Sequence, residues 1–198
     1  MVRINAKDIT REKLLDEGVI CLMERGYHGT GLQEILKSVG VPKGSFYNYF
    51  NSKEDYGAEV IGHYIDPFIR QLDEWLNKPG VDALAALIAY FKAMIRELER
   101  RQFAGGCLLG NLIGEIGDTS ETCRIALQEA IRHYRDKLKS GLARAQREGT
   151  VRGDKSAEEM ADFLVNAWQG ALLRMKIERS TRPLEECCQN LLQEYFRP

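Results

Sequence analysis

This 198-residue sequence lacks any apolar run of about eighteen residues, and its first residues do not pass from charged to apolar. The expectation is a chain that neither spans a membrane nor carries an export signal, and so works in the cytoplasm. Alternating polar and apolar runs are missing, as is any Asn-Gly hairpin turn, so no β-strand is predicted. No glycine-rich loop follows a readable strand, and neither a nucleophile elbow nor a paired-carboxylate pattern occurs. Neither catalysis nor a cofactor is therefore expected. His28, His63 and His133 have no histidine or cysteine four residues away, and Cys187 and Cys188 are adjacent rather than spaced as ligands. A metal site is not expected. With five cysteines in a reducing compartment, structural disulfides are not expected either. Charge of neither sign dominates: the formal net charge is −1, which excludes a polycation that coats nucleic acid by charge alone.

What the chain does have is helical period. Hydrophobic residues make up 44% and charged residues 29%, enough for one or two domains with a substantial core. Apolar residues recur at three- and four-residue steps through Leu15, Val19, Leu22 and Met23, and again through Val60, Tyr64, Phe68, Leu72 and Leu76. The step continues through Leu84, Leu87, Ile88, Phe91 and Ile95, then Cys123, Leu127, Ala130, Ile131, Tyr134, Leu138 and Leu142. Ser156 with Glu159 predicts a capping box for a helix reaching about residue 180, and Pro183 opens a last helix. Thr10 is the expected cap of the first helix, and Pro67 should kink or break the fourth. The predicted fold is all-α with about nine helices: an N-terminal three-helix bundle (residues 1–52) and a C-terminal helical region (53–198).

Residues 30–50, TGLQEILKSVGVPKGSFYNYF, carry the sharpest signal. Thr30 with Gln33 predicts a capping box, Leu32, Ile35, Leu36 and Val39 form one apolar stripe, and Gly40 ends that helix. Pro42 opens the next, in which Phe46 and Phe50 face the core. The opposite face presents Gly44, Ser45 and Asn48, flanked by Tyr47 and Tyr49, with Lys43 at the helix start. Gly44 allows close backbone approach, Ser45 and Asn48 offer hydrogen bonds to base edges, and Lys43 and the tyrosine hydroxyls reach phosphates. The alternative is a solvated helix hairpin within a larger helical domain. Lys37, Lys43 and Lys53 against Glu34 leave a local excess of two positive charges, suited to a site-specific binder.

The run Gly26-Tyr27-His28-Gly29-Thr30 and the run from Lys43 to Glu54 together resemble the DNA-binding domain of the TetR family of transcriptional regulators. The resemblance implies phosphate contacts from Thr30, Lys43, Tyr47, Tyr49 and Lys53, with Gln33, Ser45 and Asn48 nearer the bases. It departs from the usual pattern at Gly31 and Leu32, where many members carry a small hydroxyl or β-branched residue. The family pattern further implies a non-enzymatic repressor that binds a palindromic double-stranded DNA operator as a homodimer. The last two helices would pair with their copies, or else only close the monomer's core. A small molecule or electrophile sensed in the C-terminal domain would release the DNA.

Gly106, Gly110 and Gly114 recur every four residues, which predicts a helix face without side chains, packed by a neighbouring helix or a ligand. Cys107 would then sit at the positive end of that helix, a position that raises thiol reactivity. This stretch and residues 170–176 resemble the NemR-like, electrophile-responsive subgroup, in which the matching cysteine is a sensor accompanied by a lysine; here that lysine is Lys176. The other readings are an inert buried thiol at Cys107, or a reversible hydrophobic ligand with no thiol chemistry. The helices between 53 and 180 should enclose a pocket, with Trp75, Tyr90, Phe91, Phe103 and Trp168 as lining or as plain core. A helical small-molecule enzyme is the remaining alternative.

Overall fold

The computed structural model describes residues 5–198. Helix α1 spans Ala6–Arg25, α2 Leu32–Val39, and a short 3-10 helix Lys43–Asn48. There follow α3 (Lys53–Leu76), α4 (Ala83–Arg100), α5 (Leu108–Ile116), α6 (Glu121–Arg147), α7 (Ala157–Glu178) and α8 (Arg182–Cys187), which continues as a π-helix through Cys188–Tyr195. Counting that continuation with α8, nine helical segments and no strand occur among the described residues.

The chain forms two compact units. One takes the chain up to Asp66 together with Cys107–Ile131; the other takes Pro67–Gly106 and Arg132–Pro198. Helices α3 and α6 each contribute to both. Helix α3 continues through Pro67, so the proline does not end it, although its missing N–H removes one backbone bond.

In the first unit, α1 starts four residues before the predicted Thr10 cap. Asn5 takes that role, its side-chain oxygen accepting from the Lys7 N–H at 3.2 Å. Ser52 caps α3 through the Asp55 N–H, at 3.0 Å. The Tyr56 hydroxyl donates to the Leu14 carbonyl at 2.6 Å and so ties α3 to α1. Burial of that phenol pushes its pKa up, which fixes it as a donor.

In the second unit the predicted capping box at Ser156 and Glu159 is fully formed. Asp82 caps α4 by accepting from the Ala85 N–H at 2.9 Å, and Glu148, just past the end of α6, accepts from the Ala83 N–H at 2.7 Å. Gly141 lets α6 approach closely: a Cβ there would lie 3.0 Å from Leu76 and 3.4 Å from Leu87. Phe91 and Trp168 meet edge to face with centroids 4.7 Å apart, both buried.

The glycine stretch differs from expectation. Gly105 and Gly106 have φ of +82° and +74°, so they form a turn, and α5 begins only at Leu108. Gly114 is helical, but a Cβ there would meet nothing within 4 Å. No close-packed glycine face exists at that position. Gly105 and Gly106 shape the loop that enters α5, while Gly110 and Gly114 lie within the helix itself.

Candidate DNA-binding surface and sensor region

The helix-turn-helix is built from residues 32–48. Ile35 and Leu36 bury the inner face of α2. Gly40 ends the helix in the left-handed region, φ +74°, and the Val41 N–H closes back on the Leu36 carbonyl at 2.8 Å. The recognition segment is a 3-10 helix rather than the expected α-helix. Its terminal bonds run from the Ser45 N–H to the Pro42 carbonyl and from the Tyr49 N–H to the Phe46 carbonyl, both 2.9 Å.

Beneath it lies an aromatic triangle. Phe46 and Phe50 are both buried, with centroids 5.4 Å apart, and Tyr56 of α3 meets them at 5.7 and 4.8 Å. This triangle holds the short helix rigid, an arrangement suited to reading base edges. On the outer side Lys43, Gly44, Tyr47 and Asn48 are exposed, Tyr47 at 69%, while Ser45 and Tyr49 are half-buried. Gln33 and Lys43 line one groove together with Glu34, Leu36, Lys37 and Val41. Lys7 of α1 lies 5.9 Å over the Tyr49 ring.

Two expected contact residues are used differently. Thr30 is only 1% exposed, and its hydroxyl donates to the Gly26 carbonyl at 2.6 Å and the Cys21 carbonyl at 3.1 Å. The predicted capping box does not form: Gly31 occupies the N-cap of α2, with no side-chain bond. Buried with its hydroxyl spent on two carbonyls, Thr30 is not on the accessible face. Lys53 donates from Nζ to the Tyr27 carbonyl at 2.9 Å.

Sequence reasoning missed Glu115 of α5. Its Oε2 accepts from the Tyr27 N–H at 2.8 Å and its Oε1 from the His28 N–H at 2.7 Å. It also missed Arg25, which joins Glu34 of α2 at 2.7 Å and donates to the Cys21 thiol at 2.9 Å. Only the Arg25–Glu34 charge complementarity left a trace in the sequence. The partners of Glu115 are backbone amides, which leave none.

Of the expected sensor residues, Cys107 is half-buried and forms the N-cap of α5. In the second unit Lys176 is exposed, and its Cδ lies 3.7 Å from where a Cβ at Gly106 would be. Phe103 is half-buried with φ +62°, and Trp168 is packed on Phe91. The other four thiols are held in their protonated form by burial. Cys187 is pushed up to about 11 and Cys188 to about 12, and Cys21 and Cys123 are raised as well. No group of three or more His, Cys, Asp or Glu side chains suited to a metal occurs among the described residues. Nor is any described helix long and apolar enough to cross a membrane.

Comparison with known proteins agrees with this geometry. Residues 14–56 match the family model of bacterial regulatory proteins of the tetR family, and residues 80–191 match the tetracyclin repressor-like C-terminal domain. The HTH-type transcriptional repressor DhaR of Mycobacterium sp. (strain GP1) is 35% identical over 91% of this chain and 89% of its own length. The HTH-type transcriptional repressor NemR of Escherichia coli is 33% identical over 89% of this chain and 88% of its own. The crystal structure of reduced E. coli NemR superposes with a TM-score of 0.87 at 30% identity, covering 96% of this chain and 97% of that one. The chain belongs to the TetR family of transcriptional repressors, non-enzymatic proteins with an N-terminal DNA-binding region and a C-terminal ligand-binding region.

Proposed function

We propose that this protein is a repressor that binds a palindromic operator as a homodimer and lets go when Cys107 is modified by an electrophile. The observation that carries the DNA-binding half is the exposed face of Lys43, Gly44, Tyr47 and Asn48 held over the buried Phe46–Phe50–Tyr56 triangle. Ser45 and Asn48 would address base edges, with Gln33 beside them. Lys43, Tyr47 and Tyr49 would bind phosphate. In functional terms residues 1–52 would read DNA and residues 53–198 would sense and dimerise.

Dimerisation is supported by the outer face of α7. Phe163, Gly170 and Ile177 recur every seven residues with Leu173 beside them. The exposures of Phe163, Leu173 and Ile177 are 47%, 55% and 84%. Tyr195 of the last helix extends the stripe, edge to face with Phe163 at 5.7 Å. A face this apolar on two adjacent helices suits a second copy of the chain. Two recognition segments about one helical turn of DNA apart then follow from the two-fold axis.

Sensing is supported by the setting of Cys107, the half-buried cysteine at a helix N-terminus, and by a lysine at position 176 as the NemR-like pattern requires. Release needs the modified protein to favour a non-binding state by a few kcal/mol. The test is selection of bound duplexes from a random library, followed by N-ethylmaleimide treatment of wild type and Cys107→Ser on the recovered operator. A palindromic consensus and release of wild type alone support the reading. A second reading keeps the DNA-binding role but has a reversible hydrophobic ligand as inducer. Equal release of both proteins, or release of neither, overturns the thiol mechanism and leaves this one.

A further inference from the structure

The turn between α1 and the helix-turn-helix is held by side chains from elsewhere in the first unit. Gly26 ends α1 with φ +72°, and its N–H closes on the Leu22 carbonyl at 3.0 Å. The next two amides, of Tyr27 and His28, lie beyond the end of α1. Both are taken by the carboxylate of Glu115, one oxygen each, at 2.8 and 2.7 Å. Consecutive backbone N–H groups on the two oxygens of one carboxylate make a charge-assisted, bidentate grip.

The grip also explains the glycine. A Cβ at position 26 would sit 2.5 Å from the Glu115 Oε2, so a side chain there would evict the carboxylate as well as strain the backbone. The Tyr27 ring is buried against Gly57 of α3, whose own Cβ would lie 3.0 Å from it and 3.2 Å from the Cys123 sulfur. That burial, with Cys123 and Glu54 nearby, pushes the Tyr27 phenol up to about 12. The Lys53 ammonium holds the Tyr27 carbonyl, and the Thr30 hydroxyl holds the Gly26 carbonyl. Residues 26–30 are thus fixed from α3 and α5, and α2 starts directly after them.

We propose that Glu115 is a positioning residue for operator recognition: by gripping the Tyr27 and His28 amides it sets the angle at which the helix-turn-helix leaves α1. Glu115 touches no DNA in this role. A bidentate contact fixes orientation as well as distance, and recognition of base edges tolerates little misorientation. Phosphate contacts from flexible lysines tolerate more.

The test compares wild type with Glu115→Gln, which keeps the shape but turns an amide NH2 toward one of the two N–H donors. Operator affinity should fall roughly tenfold, the scale of one charge-assisted hydrogen bond. Affinity for random duplex and the slope of log affinity against log salt should both stay unchanged. A purely structural role would lower specific and non-specific binding together, along with the melting temperature. Either that result or unchanged operator affinity overturns the proposal. Amide exchange on wild type supplies a second reading that does not depend on the variant folding. The Tyr27 and His28 amides should exchange slowly although they belong to no helix. Exchange as fast as in exposed loops overturns the proposal too.

Discussion

The Lys53 ammonium donates to the Tyr27 carbonyl at 2.9 Å and lies 4.5 Å from the centroid of the same residue's ring. One cation thus binds both the backbone and the aromatic face of the residue that follows the α1 cap. The family pattern places a phosphate contact at Lys53, but here its charge is committed to the fold. Lys43, exposed at the start of the recognition segment, is not so placed.

The two lysines should therefore separate in a salt titration. Lys43→Ala should weaken binding to every duplex and reduce the slope of log affinity against log salt by about one. Lys53→Ala should leave the slope unchanged and lower stability by about 1 kcal/mol, or about 2–4 °C in Tm. A slope reduced equally by both variants would mean that Lys53 leaves Tyr27 when DNA binds.

What was legible in the sequence follows the range of each interaction. The Lys43–Glu54 motif and the apolar stripes are local, and they located the recognition segment and its buried Phe46 and Phe50. The Ser156–Glu159 capping box formed as a purely local pair, the Glu159 N–H donating to the Ser156 hydroxyl at 3.1 Å and the Ser156 N–H to the Glu159 carboxylate at 3.0 Å. The similar Thr30–Gln33 pattern failed because the chain folds back and offers Thr30 two carbonyls, of Cys21 and Gly26, at 3.1 and 2.6 Å. A tertiary bond displaced a local one. The glycine repeat misled for a different reason. Two consecutive positive φ values at Gly105 and Gly106 serve a turn, and a four-residue repeat says nothing about φ. Glu115 was illegible altogether, since its partners are main-chain amides 87 and 88 residues away.

Asn48 is exposed on the segment that the Phe46 and Phe50 rings anchor. An asparagine amide pairs two-fold with an adenine edge, worth about 1–3 kcal/mol of discrimination. Asn48→Ala should relax preference at one base position per half-site and leave the Tm of the protein unchanged. A panel of single-base operator variants measures this. Phe46→Ala is the contrasting case: losing a buried aromatic costs about 3–5 kcal/mol, so it should fail by unfolding rather than by altered preference. A uniform loss across the panel for Asn48→Ala would move the residue from the base-reading group to the phosphate group.

Ile177 is 84% exposed, so replacing it should not disturb the fold of a single chain. In a dimer built on the α7 stripe the same position is buried against the partner copy. Ile177→Glu then places an unpaired charge in an apolar contact, which is strongly unfavourable. Sedimentation should show a folded monomer with wild-type helicity, and operator affinity should collapse because the two half-sites are no longer joined. If Ile177→Glu stays dimeric at micromolar concentration, the α7 stripe is not the interface.

The thiols give a prediction in pH. Burial raises the pKa of Cys21, Cys123, Cys187 and Cys188, the last two to about 11 and 12. The thiolate is the reactive form, so at pH 7 these four should label slowly with N-ethylmaleimide. Their rates should climb about tenfold per pH unit while the pH stays below the raised pKa. Steric burial slows Cys21, Cys123 and Cys188 further, since each is almost wholly covered. Cys107, half-buried at the N-cap of α5, is the position a reagent reaches. One equivalent should therefore react fast at pH 7, and Cys107→Ser should abolish that phase without altering the slow ones. Intact-mass measurement over time counts the equivalents, and peptide mapping names the residue. A fast phase that survives Cys107→Ser would assign the sensing chemistry to Cys187, the other half-buried thiol. Loss of the fast phase with no loss of operator release would separate reactivity from regulation, leaving Cys107 accessible but without a role in the switch.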